Sequence, residues 1–234
     1  MSGDAKKLIY GDVARVAIAL DATGSMAGLI ASAKNSISEI VKRTTREAGR
    51  PIEIELFIYR DYDVPRQVLE RSGRSSDPRP LIDWLARVTA TGGGGNDGEA
   101  VEAALQAIVE DGSFAVVLLA GDEPSNSAAN LASAGQRNAR SAHDLARELG
   151  SRQVPIHSFV VGNDSRTQGD FSALSKATGG KTGRLDGSAE MIDLAVMAIL
   201  SRLKGSEGVR RYIATAQLTD NSRAFAQLLL GKSE

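Results

Sequence analysis

The chain has 234 residues, 42% hydrophobic and 24% charged, with 28 Lys and Arg against 29 Asp and Glu for a net charge of −1. That suits one sizeable soluble domain with enough length to bury a core. A balance so near zero gives no electrostatic case for nucleic acid or an acidic membrane surface as partner. Cysteine is absent, which excludes disulfides, thiol nucleophiles and thiolate metal sites and fits a reducing compartment.

The opening MSGDAKKLIYGD lacks the apolar centre of a signal peptide. No apolar run approaches the roughly 20 residues of a spanning helix, so the expectation is a cytoplasmic protein without a membrane segment. Residues 1–12 read as a polar lead-in in which Leu8, Ile9 and Tyr10 pin an edge. Residues 13–20 are apolar except for Arg15, the pattern of a strand buried on both faces. The run stops at Asp21, and Asp21-Ala22-Thr23-Gly24-Ser25 sets a carboxylate and two hydroxyls at alternate positions. Residues 26–48 read as a helix with Leu29, Ile30, Ala33, Ile37, Ile40 and Val41 inward, stopped by Gly49-Arg50-Pro51. A strand feeding a helix through an Asp/hydroxyl loop puts three oxygens at the carboxyl edge of a sheet, where open α/β folds keep their ligands. Oxygen-only ligation with waters retained is what Mg²⁺ requires.

Residues 52–59 form the second predicted strand. Arg60-Asp61-Tyr62-Asp63 follows, then a short returning strand at 64–69. Residues 71–79 read as a polar loop and 81–88 as a short helix whose Trp84 faces the core. A run of four glycines, 92–95, precedes Asn96-Asp97-Gly98-Glu99 and a helix over 99–109. The next buried strand, 115–120, ends in Gly121-Asp122-Glu123-Pro124. Residues 125–132 read as a mobile rim and 134–149 as a helix closed by Gly150. A strand at 155–162, a helix at 171–177, a brief edge strand at 181–185 and a helix at 188–204 complete the alternation. It predicts an α/β fold, a Rossmann-like doubly wound, mostly parallel six-stranded sheet with helices on both faces. Residues 205–234 form a C-terminal helical extension: a linker at 205–208, then short helices at 212–218 and 223–230, the second capped from residues 219–222. It is read as packing against the domain, with a partner-binding tail as the alternative.

Three stretches carry a resemblance. Asp21-x-Thr23-x-Ser25 after the first strand, Tyr59-Arg60-Asp61-Tyr62 after the second, and Gly121-Asp122-x-Pro124 after the 115–120 strand together resemble the von Willebrand factor type A domain with its metal-ion-dependent adhesion site. Thr23 stands where the family usually has Ser. The likeness spans residues 13–204 and implies that fold. It implies a Mg²⁺ or Mn²⁺ bound directly by the Thr23 and Ser25 hydroxyls and through water by Asp21 and Asp122. It also implies that an acidic oxygen of a protein partner completes the coordination, across a rim of Arg60, Asp61, Gly94, Gly95 and Glu123. Bacterial domains of this kind often act as adaptors beside ATPases of the MoxR type, kinases or other multi-component systems.

One loop departs from the pattern. The family's Gly-Gly-Thr-x-Thr-Gly-Glu, aligned on Gly98-Glu99, puts its Thr on Gly95, which has no side chain. Asn96 or Asp97 then supplies the oxygen, or a water takes its place. An Asp there would tighten the metal and blunt the attraction for an acidic partner. The glycine run reads either as a close approach of backbone to the ion or as a flexible turn; it lacks the spacing of a phosphate loop.

Two other readings stand beside this one. In the first, the metal site is degenerate and the domain is a structural subunit of a complex. In the second, the chain is a metal-dependent hydrolase, but a haloacid-dehalogenase-type nucleophile wants Asp-x-Asp where Thr23 stands. Gly24-Ser25-Met26-Ala27-Gly28 also misses the Gly-x-Ser-x-Gly elbow. His143, on a predicted helix, and His157, on a predicted strand, are the only histidines and read as structural. The expected role is binding, not catalysis.

Overall fold

The first strand, β1 (Ala14–Asp21), is buried along nearly its whole length because it lies inside the sheet. It runs parallel to both neighbours, β2 (Ile52–Tyr59) and β4 (Val116–Gly121). The computed structural model describes residues 13–231; the edge pin expected of Leu8, Ile9 and Tyr10 lies outside them. Within that range a single six-stranded sheet has the order β3-β2-β1-β4-β5-β6. β5 (Ile156–Val160) and β6 (Thr182–Arg184) continue it in parallel, and β3 (Leu69–Ser75) closes the other edge antiparallel to β2. The expected α/β architecture is the one observed.

The helices divide between the two faces. α1 (Ala27–Ala48), α2 (Pro78–Leu85), α7 (Ser188–Ile213) and α8 (Asp220–Leu229) cover one. Their apolar side chains meet Val16, Ile18 and Leu20 of β1 with Ile54, Leu56 and Ile58 of β2. α3 (Val101–Asp111), α5 (Ala142–Ser151) and α6 (Ser165–Thr178) cover the other. There Ala17 and Ala19 of β1 share a core with Phe57 and Phe114, whose rings meet edge-to-face at 5.6 Å. Burying each Leu or Ile contributes about 1.5–3 kcal/mol, so this two-sided core is what holds β1 central.

Several boundaries differ from the sequence expectation, each for a local reason. The returning strand is β3 at 69–75 rather than 64–69, and it takes in residues assigned to a polar loop. Its charged side chains pair across the edge: Arg71 and Arg74 both reach Glu55 of β2 and Asp111 of α3. An edge strand tolerates charge of this kind, so it carries no apolar alternation. The helix expected at 134–149 starts only at Ala142, as α5, and the stretch expected to be a mobile rim, 125–132, carries most of a short helix of its own, α4 (Ala128–Ser133). Each starts at a serine whose side chain accepts from a backbone N–H three residues on, Ser127 from Asn130 and Ser141 from Asp144. α6 begins six residues earlier than expected because Asp164 caps it.

The C-terminal extension is not a linker followed by two short helices. The α7 helix breaks only at Gly205 (φ 63°) and resumes to Ile213. Val209 and Tyr212 are buried, and the Tyr212 hydroxyl donates to Asp193 Oδ1 at 2.5 Å. Thr219 caps α8, accepting from the Ser222 N–H, and donates to Glu190 Oε1 at 2.9 Å. Phe225 seats its ring edge-to-face against His157 and Phe159, at 6.0 and 5.3 Å, over Gly183, where a Cβ would come within 2.9 Å of it. The extension therefore packs on its own domain. Among the described residues, no helix is long and apolar enough to cross a membrane.

Two outcomes follow from this packing. Phe225→Ala should cost about 3–5 kcal/mol in urea denaturation; a loss below about 1 kcal/mol would show that the extension does not depend on this contact. His157 is buried beneath Phe225, and burial pushes its imidazole down to about 3. Between that value and the ordinary 6.5 the unfolded chain holds a proton that the folded chain does not, so stability rises with pH across the window, by up to about 1.4 kcal/mol per pH unit from this group. Unfolding free energies measured from pH 4 to 7 should show a shallower slope in His157→Gln than in wild type, and equal slopes would refute the assignment.

Candidate metal centre

β1 delivers Asp21 to the carboxyl edge of the sheet, in register with Tyr59 of β2. There the chain turns through a short 3₁₀ segment, Gly24–Met26, into α1. Asp21 Oδ1 accepts from the Thr23 N–H at 2.7 Å and from the Thr23 hydroxyl at 2.8 Å. The Thr23 and Ser25 hydroxyl oxygens lie 3.4 Å apart. Asp21 and Thr23 are buried, while Ser25 is exposed at the mouth. One strand over, β4 ends at Gly121, and Asp122 follows. Gly121 cannot carry a side chain: a Cβ would stand 2.5 Å from the Tyr59 hydroxyl and 3.4 Å from the Asp21 Cβ. The Tyr59 hydroxyl occupies that space and donates to the Ala120 carbonyl at 3.0 Å.

Asp21, Thr23, Ser25 and Asp122 are thus carried by the ends of two adjacent strands. Asp21 Oδ2 and Asp122 Oδ1 are both buried without a hydrogen-bond partner. Burial pushes the Asp21 carboxyl up to about 7 despite its bonds from Thr23, and the charge of Asp122 acts in the same direction. Leaving such oxygens unpaired is costly; a proton shared between the two carboxyls or a bound cation would satisfy them.

The glycine-rich loop is laced onto the first loop by backbone hydrogen bonds, from the Thr91 N–H to the Ala22 carbonyl at 2.9 Å and from the Gly24 N–H to the Gly92 carbonyl at 3.1 Å. Gly93 is the residue set against Thr23. It has φ +88°, and a Cβ would meet the Thr23 Cβ at 2.7 Å and Glu99 Oε1 at 2.8 Å. Gly95 faces Asp63 and Asp61 instead. Asn96 uses both ends of its amide elsewhere, donating to Asp61 Oδ2 at 2.7 Å and accepting from Asn130 at 2.8 Å. Asp97 is exposed, 3.6 Å from Arg166. The structure therefore directs neither Asn96 nor Asp97 at the Thr23–Ser25 hydroxyls.

Glu99 is the residue that sequence reasoning missed. It is 2% exposed, and its Oε2 is buried with no partner. Burial, reinforced by Asp21, pushes it up to about 9. Its backbone is stapled to the loop after Asp122, with its N–H donating to the Pro124 carbonyl and its carbonyl accepting from the Asn126 N–H. The signal was present: Glu99 belongs to the Gly-Glu pair that anchors the loop alignment, but it served only as an anchor.

Two residues assigned to the partner rim are not on the surface. Arg60 is fully buried. Its guanidinium donates to the Gln67 carbonyl at 2.9 Å, to Glu70 Oε1 at 2.7 Å and to the Thr89 carbonyl at 2.8 Å. It ties the β2–β3 connection to the strand of chain entering the glycine run. Asp61 is 2% exposed and accepts from the side-chain amides of Asn96 and Asn126. Both belong to the scaffold beneath the loops. Gly94 and Gly95 are exposed, and the half-buried Glu123 lies 3.4 Å from Arg166.

The donors that fit a hard divalent ion are therefore oxygens only: two hydroxyls with buried carboxylates behind them. Among the described residues, no three His, Cys, Asp or Glu side chains gather as a metal-holding group. An ion held here would therefore need the hydroxyls as donors beside the carboxylates.

The sequence model of the von Willebrand factor A domain matches residues 15–185. The chain belongs to that family. Among solved structures, the von Willebrand factor A fold recurs in the SpRpn10 VWA domain, at 12% identity and TM-score 0.54, covering 78% of this chain and 93% of that one. The conserved hypothetical protein BatB from Bacteroides thetaiotaomicron matches at 16% identity and TM-score 0.57, over 81% of this chain and 98% of that one. An aerotolerance-related membrane protein from Bacteroides fragilis matches at 14% identity and TM-score 0.53, over 79% and 98%. Identities this low establish the fold alone. No curated protein matches the sequence. Domains of the von Willebrand factor A family generally mediate protein–protein interactions.

Arg60→Met tests the scaffold assignment. It leaves three acceptors without their donor and should cost about 3 kcal/mol, the low end for a broken buried pair because Glu70 is partly solvated. Guanidinium denaturation in EDTA measures it, and an unchanged midpoint would return Arg60 to the rim.

Proposed function

We propose that this von Willebrand factor A domain is a metal-dependent protein-interaction module. One observation carries the reading: buried carboxylate oxygens without partners, Asp21 Oδ2 and Asp122 Oδ1, stand at the carboxyl edge behind the paired Thr23 and Ser25 hydroxyls. The Thr23 and Ser25 oxygens would hold Mg²⁺ or Mn²⁺ directly, and Asp21 and Asp122 would hold it through water. A bound ion would supply an electrophilic centre for an oxygen donor from outside, which the family resemblance points to as an acidic side chain of a protein partner. The chain's own work is positional. The Asp21 carboxylate orients the Thr23 hydroxyl, and Gly121 keeps β4 close enough for Asp122 to reach the same edge.

The role is binding rather than catalysis. His143 Nε2 meets Asp170 at 2.8 Å, and His157 lies buried with its Nδ1 accepting from the Lys181 N–H, so both histidines are engaged elsewhere. The partner is read as an ATPase, a kinase or another component of a multi-protein cytoplasmic system.

Melting curves in EDTA, then with Mg²⁺, Mn²⁺ or Ca²⁺ restored, test the reading on wild type and Asp21→Ala. A ligand present at a hundredfold its dissociation constant adds about 2.7 kcal/mol, which is a rise of several degrees. The rise is expected in wild type with Mg²⁺ or Mn²⁺ and should be absent in Asp21→Ala. If no ion moves the wild-type midpoint at millimolar concentration, the domain is a structural subunit with a degenerate site.

A further inference from the structure

At the amino edge of the sheet, opposite the candidate metal centre, β5 begins beside a pocket of about 370 Å³. Its lining includes His157, Lys181, Arg202, Gln153, Pro155 and Leu229 and contains no Asp or Glu. His157 is only 3% exposed. Its Nδ1 accepts from the Lys181 N–H at 3.2 Å, so the ring proton is on Nε2. That nitrogen has no acceptor among the described residues, yet it is not sealed off; it reaches solvent through the pocket. A nearly buried N–H that opens on a cavity with nothing to receive it is a place for an acceptor from outside.

The charges around it have one sign. Arg202, on α7, is fixed at the wall by bonds from Nε to the Ala115 carbonyl at 3.0 Å and from Nη2 to the Gln153 carbonyl. Lys181 is exposed and makes no ion pair among the described residues. After burial, these two cations are what disfavours the imidazolium of His157, so the ring stays a neutral donor. Gln153 is the one residue other than glycine, among the described residues, with a positive φ, 58°. It follows α5, where its N–H donates to the Gly150 carbonyl at 2.9 Å. Glycine usually takes such a turn; here it carries a side chain beside the pocket.

We propose that this pocket binds a small molecule through an oxyanion, a phosphate or carboxylate group, that accepts from the His157 Nε2–H and is neutralised by Lys181 and Arg202. A volume of about 370 Å³ falls in the range of ligand pockets and is more than the anion alone fills. Pro155 and Leu229 offer apolar contact to the remainder of the molecule. The site shares no residue with the candidate metal centre, and its test is independent of the metal-dependent reading.

Nuclear magnetic resonance of the full chain in chloride buffer, with inorganic phosphate or acetate added at neutral pH, tests this. The His157 Nε2–H and the Lys181 N–H should shift and saturate in the millimolar range with at least one of the two anions. Lys181→Met should weaken that binding by about fivefold, the upper range for an exposed charge pair. Lys42→Met, which removes the same charge from α1, should leave it unchanged. His157→Asn, whose amide oxygen can still accept from the Lys181 N–H while no donor reaches the pocket, should weaken it by about tenfold or more. Lys181→Met keeps the backbone bond to His157 and decides the case even if His157→Asn does not fold. Saturation by phosphate alone assigns a phosphate ligand, and saturation by acetate assigns a carboxylate; either supports the site. If neither anion moves the Nε2–H, or if Lys181→Met binds as wild type does, the pocket is not an oxyanion site.

Discussion

The burial of β1 on both faces is the constraint from which the rest follows. A strand with apolar side chains up and down can only be central, and a central strand ends in a buried edge. Asp21 is placed at that end, where water cannot solvate its second oxygen. The cost of such a group is several kcal/mol unless something pairs with it, and the chain supplies only Thr23 to one of its two oxygens. The unsatisfied half is a feature of the architecture, since the adjacent strand end repeats it at Asp122. Two parallel strands ending side by side will present their first loop residues together, which is why ligand sites collect there in sheets of this class.

Close approach of the loops depends on two glycines with different tasks. Gly121 makes room for the Tyr59 hydroxyl, which would otherwise meet a Cβ at 2.5 Å. Tyr59 in turn bridges β2 to the end of β4 through its bond to the Ala120 carbonyl. Gly93 combines a left-handed φ with the absence of a side chain, so that the loop passes Thr23 and leaves the Glu99 carboxylate its space. Beneath them, Arg60 and Asp61 fasten the loops from the inside. The guanidinium collects three acceptors, and the carboxylate holds two asparagine side chains. The charged Tyr-Arg-Asp-Tyr stretch thus serves rigidity at the site rather than contact with a partner.

At the far end of the chain the extension behaves as part of the domain. After the turn at Gly205, residues 206–229 return to the face of the sheet already covered by α1 and α7 and shield His157 and Phe159 with Phe225. Polar bonds from Tyr212 and Thr219 to Asp193 and Glu190 on α7 align it. Those bonds fasten α7 along its first turns, so the last helix of the core and the extension form one packed unit.

What the sequence determined by itself is the order of strands and helices, the central place of β1, and the identity of Asp21, Thr23, Ser25 and Asp122 at one sheet edge. These follow from local signals: unbroken apolar runs, cap residues, and the position of a carboxylate at the end of a run. β3 escaped because an edge strand that pairs its charges across to Glu55 and Asp111 has no apolar alternation to read. The short helix α4 inside the expected rim and the late start of α5 escaped because their starts are set by the cap residues Ser127 and Ser141, which sit among small and polar residues that read equally as loop. Only the tertiary structure decided which residues of the charged and glycine-rich loops face inward. A buried Arg60 or Asp61 and an exposed one have the same letters. Which oxygen of the third loop turns toward Thr23 depends on backbone bonds between segments more than twenty residues apart in sequence, from Thr91 to Ala22 and from Glu99 to Pro124. No spacing within either segment encodes those bonds.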